Sequence, residues 1–289
     1  MIQFIKYNGT MDESLKLIVE KIKKIPTIPV VAHEILSLIR DDLVAVNKLE
    51  RIVQNDPAIS AKIMSVANSA FYGYKTPAKT LDNAILRIGF DSVKNIALGI
   101  SLLTVLGDGK DKRAMDYQRV FNHSVSVGFI AGVLLREFRL DINEEIFING
   151  ILHDIGYMVM NRYFPKTYLE VMEAFEKEGP LLNAEDKALG FTHADIGCWL
   201  AEKWNLSHDV SETIMYHHRP SLAKRFKNRV AVIHIADYIT TKFIMSPTEK
   251  DPDYPFDYST LEVLGISAKD LREVEEKICG ANISEELFI

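Results

Sequence analysis

Apolar residues recur along the chain at three- and four-residue steps, the spacing of amphipathic helices. Over residues 11–25 the set is Leu15, Ile18, Val19, Ile22 and Ile25, and over 30–39 it is Val31, Ile35, Leu38 and Ile39. Asp56-Pro57 reads as an N-cap with proline in the first helical position, opening a helix through Ile59, Ile63, Val66 and Ala67. The pattern continues over residues 81–88 and 93–106, then breaks at the small, polar stretch 107–111, Gly-Asp-Gly-Lys-Asp. Beyond it the spacing predicts helices over residues 115–138, 144–163, 168–177, 184–189, 193–204, 210–218 and 229–243. Thr192-His193-Ala194-Asp195 has the form of a capping box. A Pro- and Asp-rich loop over 247–258 precedes an amphipathic tail with Leu261, Leu264, Leu271, Val274 and Ile278 on its apolar face. No stretch alternates in the manner of a strand bounded by turns. The expected fold is all-α and two-lobed: residues 1–110 form an N-terminal helical lobe, 111–246 a second helical bundle starting near Met115, and 247–289 a loop and helical tail.

The 289 residues are enough to bury a sizeable core, and 47% hydrophobic with 26% charged is ordinary globular usage. A net charge of −6 lacks the basic balance of a dedicated nucleic-acid binder, so a nucleic-acid partner is disfavoured. Cys198 and Cys279 form neither a disulfide framework nor a C-x-x-C knuckle and read as two buried thiols of a reducing compartment. No leader is evident at the N-terminus, and the apolar run over 95–107 reads as too short to span a bilayer, so no membrane partner and a cytoplasmic location are expected.

Chemistry concentrates after residue 120. His153-Asp154 and Asp237 each interrupt an otherwise apolar stretch, and a buried carboxylate is costly unless it is paired or bound to a cation. A lone pair of this kind is most simply an aspartate orienting its neighbouring histidine. His123, His193 and the adjacent His217-His218 change that balance, because imidazoles together with carboxylates suit Fe, Mn, Zn or Ni. Two divalent ions on neutral histidines and two aspartates would carry about +2 net charge, which attracts phosphate oxygens. Two neighbouring histidines diverge by about 100° on a helix, so His217 and His218 can serve one ion only at a helix end. Arg219-Pro220 supplies such an end.

Taken in order, His123, His153-Asp154 and Asp237 resemble the H…HD…D pattern of the HD superfamily of metal-dependent phosphohydrolases, and His193 with His217-His218 resembles the bimetallic arrangement of its HD-GYP branch. The closer resemblance is to the HDOD domain, the HD-related output domain. It is carried by Ile25-Pro26-Thr27-Ile28-Pro29, by Asn55-Asp56-Pro57-Ala58-Ile59-Ser60-Ala61-Lys62 and by Ala67-Asn68-Ser69-Ala70-Phe71-Tyr72-Gly73. It continues in Ala84-Ile85-Leu86-Arg87-Ile88-Gly89, Leu152-His153-Asp154-Ile155-Gly156 and Thr192-His193-Ala194-Asp195-Ile196-Gly197 leading to Trp204. It covers roughly residues 23–243. The resemblance implies a bacterial regulatory module and one or two divalent ions. The first would take His123, His153, Asp154 and Asp237, and the second Asp154 as a bridge with His193, His217 and His218.

Against the resemblance stand three departures. Tyr157 replaces the lysine that follows HDIG in active relatives, and Arg119 lies where some relatives place a glutamate for a third ion. Arg219-Pro220-Ser221-Leu222 replaces the GYP-type loop, which argues against cyclic di-GMP hydrolysis. Asn68-Ser69-Ala70-Phe71-Tyr72-Gly73 is expected to close one helix and pack its aromatics between the lobes. Arg219, Lys224 and Arg225 are candidate phosphate contacts, although a solvated helix start accounts for the basic cluster more simply. His234, three residues from Asp237, is placed to support a ligand from behind, but reads more simply as a satisfied core histidine. The expected function is a signal-transduction module with a retained His/Asp metal site, whose partner is a signalling protein or a nucleotide-type ligand; the alternative is a metal-dependent phosphohydrolase acting on a nucleotide or cyclic-nucleotide phosphodiester.

Overall fold

The computed structural model describes residues 22, 27–38, 43–68, 74, 76–107, 117–143, 145–178, 181–245 and 255–280. Among the described residues every regular element is helical, and the protein is all-α. All of the helix expected over residues 11–25 except Ile22, the aromatic segment 69–73, most of the 107–111 break, the expected start of the second lobe at Met115 and most of the loop 247–258 lie outside the described residues.

The first helices, α1 (Val30–Leu36), α2 (Leu43–Gln54), α3 (Pro57–Asn68) and α4 (Leu81–Ile88), lead to α5 (Phe90–Gly107). Asp56 caps α3 as expected, its Oδ1 accepting from the backbone N–H of Ala58 at 3.0 Å and of Ile59 at 3.1 Å. Helix α5 packs against all four helices before it and also against three helices of the second half. It is buried on nearly every face, which explains its composition. It is longer than the sequence pattern indicated: at 18 residues and mean hydropathy 1.3 it meets the length and polarity of a bilayer span, but 67% of it is buried inside the protein, as in a core helix.

The second half comprises α6 (Tyr117–Glu137), α7 (Ile146–Leu152), α8 (Ile155–Tyr163), α9 (Pro165–Glu178), α10 (Leu181–Leu189), α11 (His193–Lys203), α12 (His208–Tyr216) and α13 (Lys227–Ile239). Then come α14 (Ser259–Leu264) and α15 (Ala268–Gly280), whose apolar residues Leu261, Leu264, Leu271, Val274 and Ile278 are buried as expected. Two close approaches bring the site together. Where α6 meets α7, a Cβ on Gly150 would run into Gly128 Cα, and one on Gly128 would lie 2.8 Å from the Phe147 carbonyl oxygen. Where α8 meets α11, a Cβ on Gly156 would run into the carbonyl oxygen of His193. Only glycine permits these contacts. Cys198 is buried, but Cys279 is exposed on the last turn of α15, correcting the expectation of two buried thiols.

Candidate metal centre

The sequence pattern runs as one helix over residues 144–163. In the structure that helix is broken: α7 ends at Leu152, Asp154 leaves the helical region at φ −100° and ψ 15°, and α8 restarts at Ile155. The break sets the His153 and Asp154 side chains at the junction of two helices that are buried without interruption from Ile146 to Asn161. A similar device operates at α12, which stops at Tyr216 so that His217 and His218 occupy the turn beyond it, their ring centroids 4.1 Å apart. His193 is the first residue of α11. Thr192 caps that helix through the expected box: its Oγ1 accepts from Asp195 N at 3.4 Å, and Asp195 Oδ2 accepts from Thr192 N at 2.8 Å. His123 comes from α6 and Asp237 from α13. Just past Asp237 the helix widens to π-type bonding over Thr240–Met245, and the Thr241 hydroxyl donates to Asp237 Oδ1 at 3.2 Å.

These side chains converge on Asp154. Its Oδ2 lies 3.2 Å from His153 Nε2 and 3.5 Å from His123 Nε2, while its Oδ1 lies 3.4 Å from both His193 Nε2 and His217 Nε2. Asp237 Oδ1 is 3.0 Å from His123 Nε2 and 3.7 Å from His153 Nε2. Potential ligand atoms fall within 4.8 Å of one another in three overlapping groups: His123, His153 and Asp154; His153, His217 and Asp237; and Asp154, His193, His217 and His218. All seven candidate residues are therefore in one cluster, with Asp154 common to both ends of it.

The ring tautomers show what such a cluster can hold. His153 Nδ1 is 2.7 Å from the Gly150 carbonyl and His217 Nδ1 is 2.8 Å from the Ile214 carbonyl. A carbonyl only accepts, so each ring carries its proton on Nδ1. His193 Nδ1 faces Glu185 in the same way, 2.9 Å from both carboxylate oxygens. The Nε2 atoms of all three rings thus present lone pairs, His193 and His217 to each other at 3.3 Å and all three to Asp154. Lone pair facing lone pair is repulsive unless a cation lies between. His153 Nε2 and Asp154 Oδ1 are accordingly buried without a hydrogen-bond partner of good geometry. The donor set suits divalent metal, with the far ring nitrogens tied down as metal-bound histidines require.

Without such an ion, protons take its place. Burial disfavours the charged forms of both aspartates, but the surrounding histidines, foremost His153 for Asp154 and His123 for Asp237, hold them well below the usual carboxylate range. Burial also opposes protonation of His193, yet Glu185 and Asp154 push it up to about 10. Burial, reinforced by neighbouring histidines, holds His218 well below the ordinary value, so it is neutral.

Two residues near the centre were missed in the sequence or read differently there. Glu185, wholly buried on α10, was absent from the expected set. Tyr157, in place of the lysine, stacks on the His193 ring with centroids 4.0 Å apart and planes at 19°. His234 is a satisfied core histidine, as expected: its Nδ1 donates to the His217 carbonyl at 2.7 Å and its Nε2 accepts from Asp257 N at 2.9 Å. Arg219, Lys224 and Arg225 are exposed. No contact joins them to the cluster among the described residues. Instead Glu212 Oε1 takes the backbone N–H groups of Lys224 at 2.6 Å and Arg225 at 2.8 Å, fastening the turn Pro220–Leu222 and the loop after it.

The HDOD domain family model matches residues 25–220. This chain belongs to the HDOD family. Its fold is that of an HDOD domain protein of Geobacter sulfurreducens, which is 20% identical, with a TM-score of 0.77 and 95% of this chain and 96% of that one covered. A candidate phosphohydrolase of Shewanella amazonensis SB2B, also 20% identical, aligns with a TM-score of 0.69 over 93% and 97% of the two chains. In sequence the HDOD chain is 24% identical over 234 residues to an uncharacterized protein of Treponema pallidum (strain Nichols), 80% of this chain and 45% of that protein. It thus spans less than half the length of that relative.

Proposed function

We propose that this HDOD chain is a cytoplasmic regulatory module built around a dinuclear centre of divalent transition metal, which binds a phosphate-bearing, nucleotide-type ligand and signals to a protein partner. The observation that carries the reading is Asp154, whose two oxygens face different histidine sets, His123 with His153 on one side and His193 with His217 on the other. A carboxylate so placed would offer one oxygen to each of two cations. His123, His153 and Asp237 would complete the first site, His193, His217 and His218 the second, and imidazole donors favour Fe, Mn, Zn or Ni. Ions held there would supply water activation near neutral pH and charge for phosphoryl oxygens. On this reading residues 1–110 form an N-terminal helical lobe, 111–246 the metal-binding lobe, and 247–289 a loop and helical tail.

Phosphodiester hydrolysis is the second reading, favoured by the same bridging geometry. Tyr157 weighs against it, because the flat stack on His193 puts an aromatic ring where a lysine would grip phosphate. The test is metal analysis of protein purified without added metal, followed by calorimetry and turnover assays against a panel of nucleotides and cyclic dinucleotides. Two ions per chain, metal-dependent binding and little turnover are expected. Absence of stoichiometric metal overturns the proposal, and rapid turnover moves the hydrolase reading to first place.

A further inference from the structure

The histidines of the centre are not aimed in the same way. His153 and His217 are oriented by carbonyls three residues back in their own helices, Gly150 and Ile214. His193 is oriented by a charged side chain from another helix. Glu185 on α10 is fully buried, both its oxygens lie 2.9 Å from His193 Nδ1, and its Oε2 also accepts from the His193 backbone N–H at 3.1 Å. One carboxylate therefore fixes the ring and the first amide of α11, where the exposed N–H groups of a helix start favour negative charge.

Such a placement does more than fasten two helices. A carboxylate accepting from the far nitrogen of an imidazole fixes its tautomer and makes the opposite nitrogen a stronger donor. A carbonyl fixes the tautomer but carries no charge. We propose that Glu185 is the positioning residue of the ion site formed by Asp154, His193, His217 and His218, and that its charge tightens that site selectively over the one formed by His123, His153 and Asp237. This rests on the metal-centre reading. Tyr157 closes the arrangement from the other side by stacking on the same ring, leaving His193 little freedom to turn.

Glu185→Gln removes the charge and turns one of the two accepting oxygens into an NH2 group, but keeps the size and an oxygen that accepts from Nδ1–H. Glu185→Ala removes both. The experiment is competitive chelator titration of wild type and both variants, with metal content read per chain, and histidine ring nitrogen NMR of the metal-free proteins. One of the two ions should bind about 10–100-fold more weakly in Glu185→Gln and more weakly still in Glu185→Ala, while the other is unchanged. In the metal-free spectra the His193 Nδ1 proton should show the signature of a hydrogen bond to a carboxylate in wild type and lose it in Glu185→Ala. Should Glu185→Ala fail to fold, the Glu185→Gln result decides. Two ions held equally well by wild type and Glu185→Gln, or both ions weakened alike, overturn the assignment to Glu185 alone. No bound ion in wild type overturns the metal centre itself, and with it the claim of selective affinity.

Discussion

The helices up to Gly107 and the bundle from Tyr117 onward use their interiors differently. Among the described residues of the first half the buried polar ones are few and mostly neutral: Ser92, Asn95, Ser101 and Lys62. In the second half His153, Asp154, Glu185, His193, Asp209, Glu212, His217, His234 and Asp237 are all buried. Many of these answer a specific donor or acceptor: Glu212 the loop amides, Glu185 the His193 ring, His234 the backbone on either side of it. Buried charges rarely add stability over apolar packing of similar volume. The first half is thus a folding scaffold, and the second trades some stability for a polar centre. Substitutions in the two halves should therefore separate stability from metal binding.

The largest effect should come at the bridge. Asp154→Ala removes the oxygens common to both ion sites, so we expect metal content to fall from stoichiometric to near zero, with the helical circular dichroism retained. Elemental analysis of the purified variant checks this, and a variant that keeps all of its metal would sink the bridging role of Asp154.

Next is Gly156→Ala, which tests the α8–α11 contact. The new methyl group meets the His193 carbonyl oxygen, a backbone atom that cannot rotate away. Overpacking of this kind costs about 1–3 kcal/mol, and a rigid backbone neighbour puts the substitution at the upper end. Because the same carbonyl belongs to a candidate ligand, metal affinity should fall together with the melting temperature. A loss of stability with affinity intact would show that the contact serves folding only.

Periodicity revealed helices wherever one face meets solvent, and hid their ends wherever none does. Every residue from Ile146 to Asn161 is buried, so no exposed stripe marks the change of phase at His153-Asp154, and two helices read as one. The same cause shortened α5 in the sequence reading. The candidate ligands were legible because charge inside an apolar run is conspicuous. Glu185 carries that signal too, four residues from Leu181 and from Leu189 on one face of α10, but Asp186 beside it is exposed and the sequence does not rank the two. Only the approach of α11, set by Gly156, shows which carboxylate meets a histidine.

A smaller effect should come from Ile63→Val on α3. Ile63 is fully buried in the first half, and removing one methylene there costs about 1 kcal/mol. Denaturant melts should show that loss while metal content per folded chain stays at the wild-type level. If metal affinity drops as well, the two halves are coupled more tightly than their interiors suggest.

The effect that most sharpens the comparison, read as a difference across pH, concerns Lys62. Among the described residues it is the one lysine or arginine that is buried, and it crosses between the halves: its ammonium donates to Asn122 Oδ1 at 3.2 Å, beside His123. Burial lowers its pKa from 10.5 to about 8. The sign follows from proton counting. Below pH 8 folded and unfolded chains both hold the proton, so the cost of burying the charge is fully present. Between pH 8 and 10.5 the unfolded chain keeps a proton that the folded chain has released, so stability rises with pH, and above 10.5 the cost is gone. Lys62→Met removes that titration while filling the same space. Relative to wild type the variant should therefore be most favoured near pH 7, and its advantage should shrink steadily between about pH 8 and 10.5. Paired denaturant melts across that range read the difference directly. A difference that stays flat with pH would mean the ammonium is solvated or matched across the interface, and that the scaffold half carries a settled charge of its own.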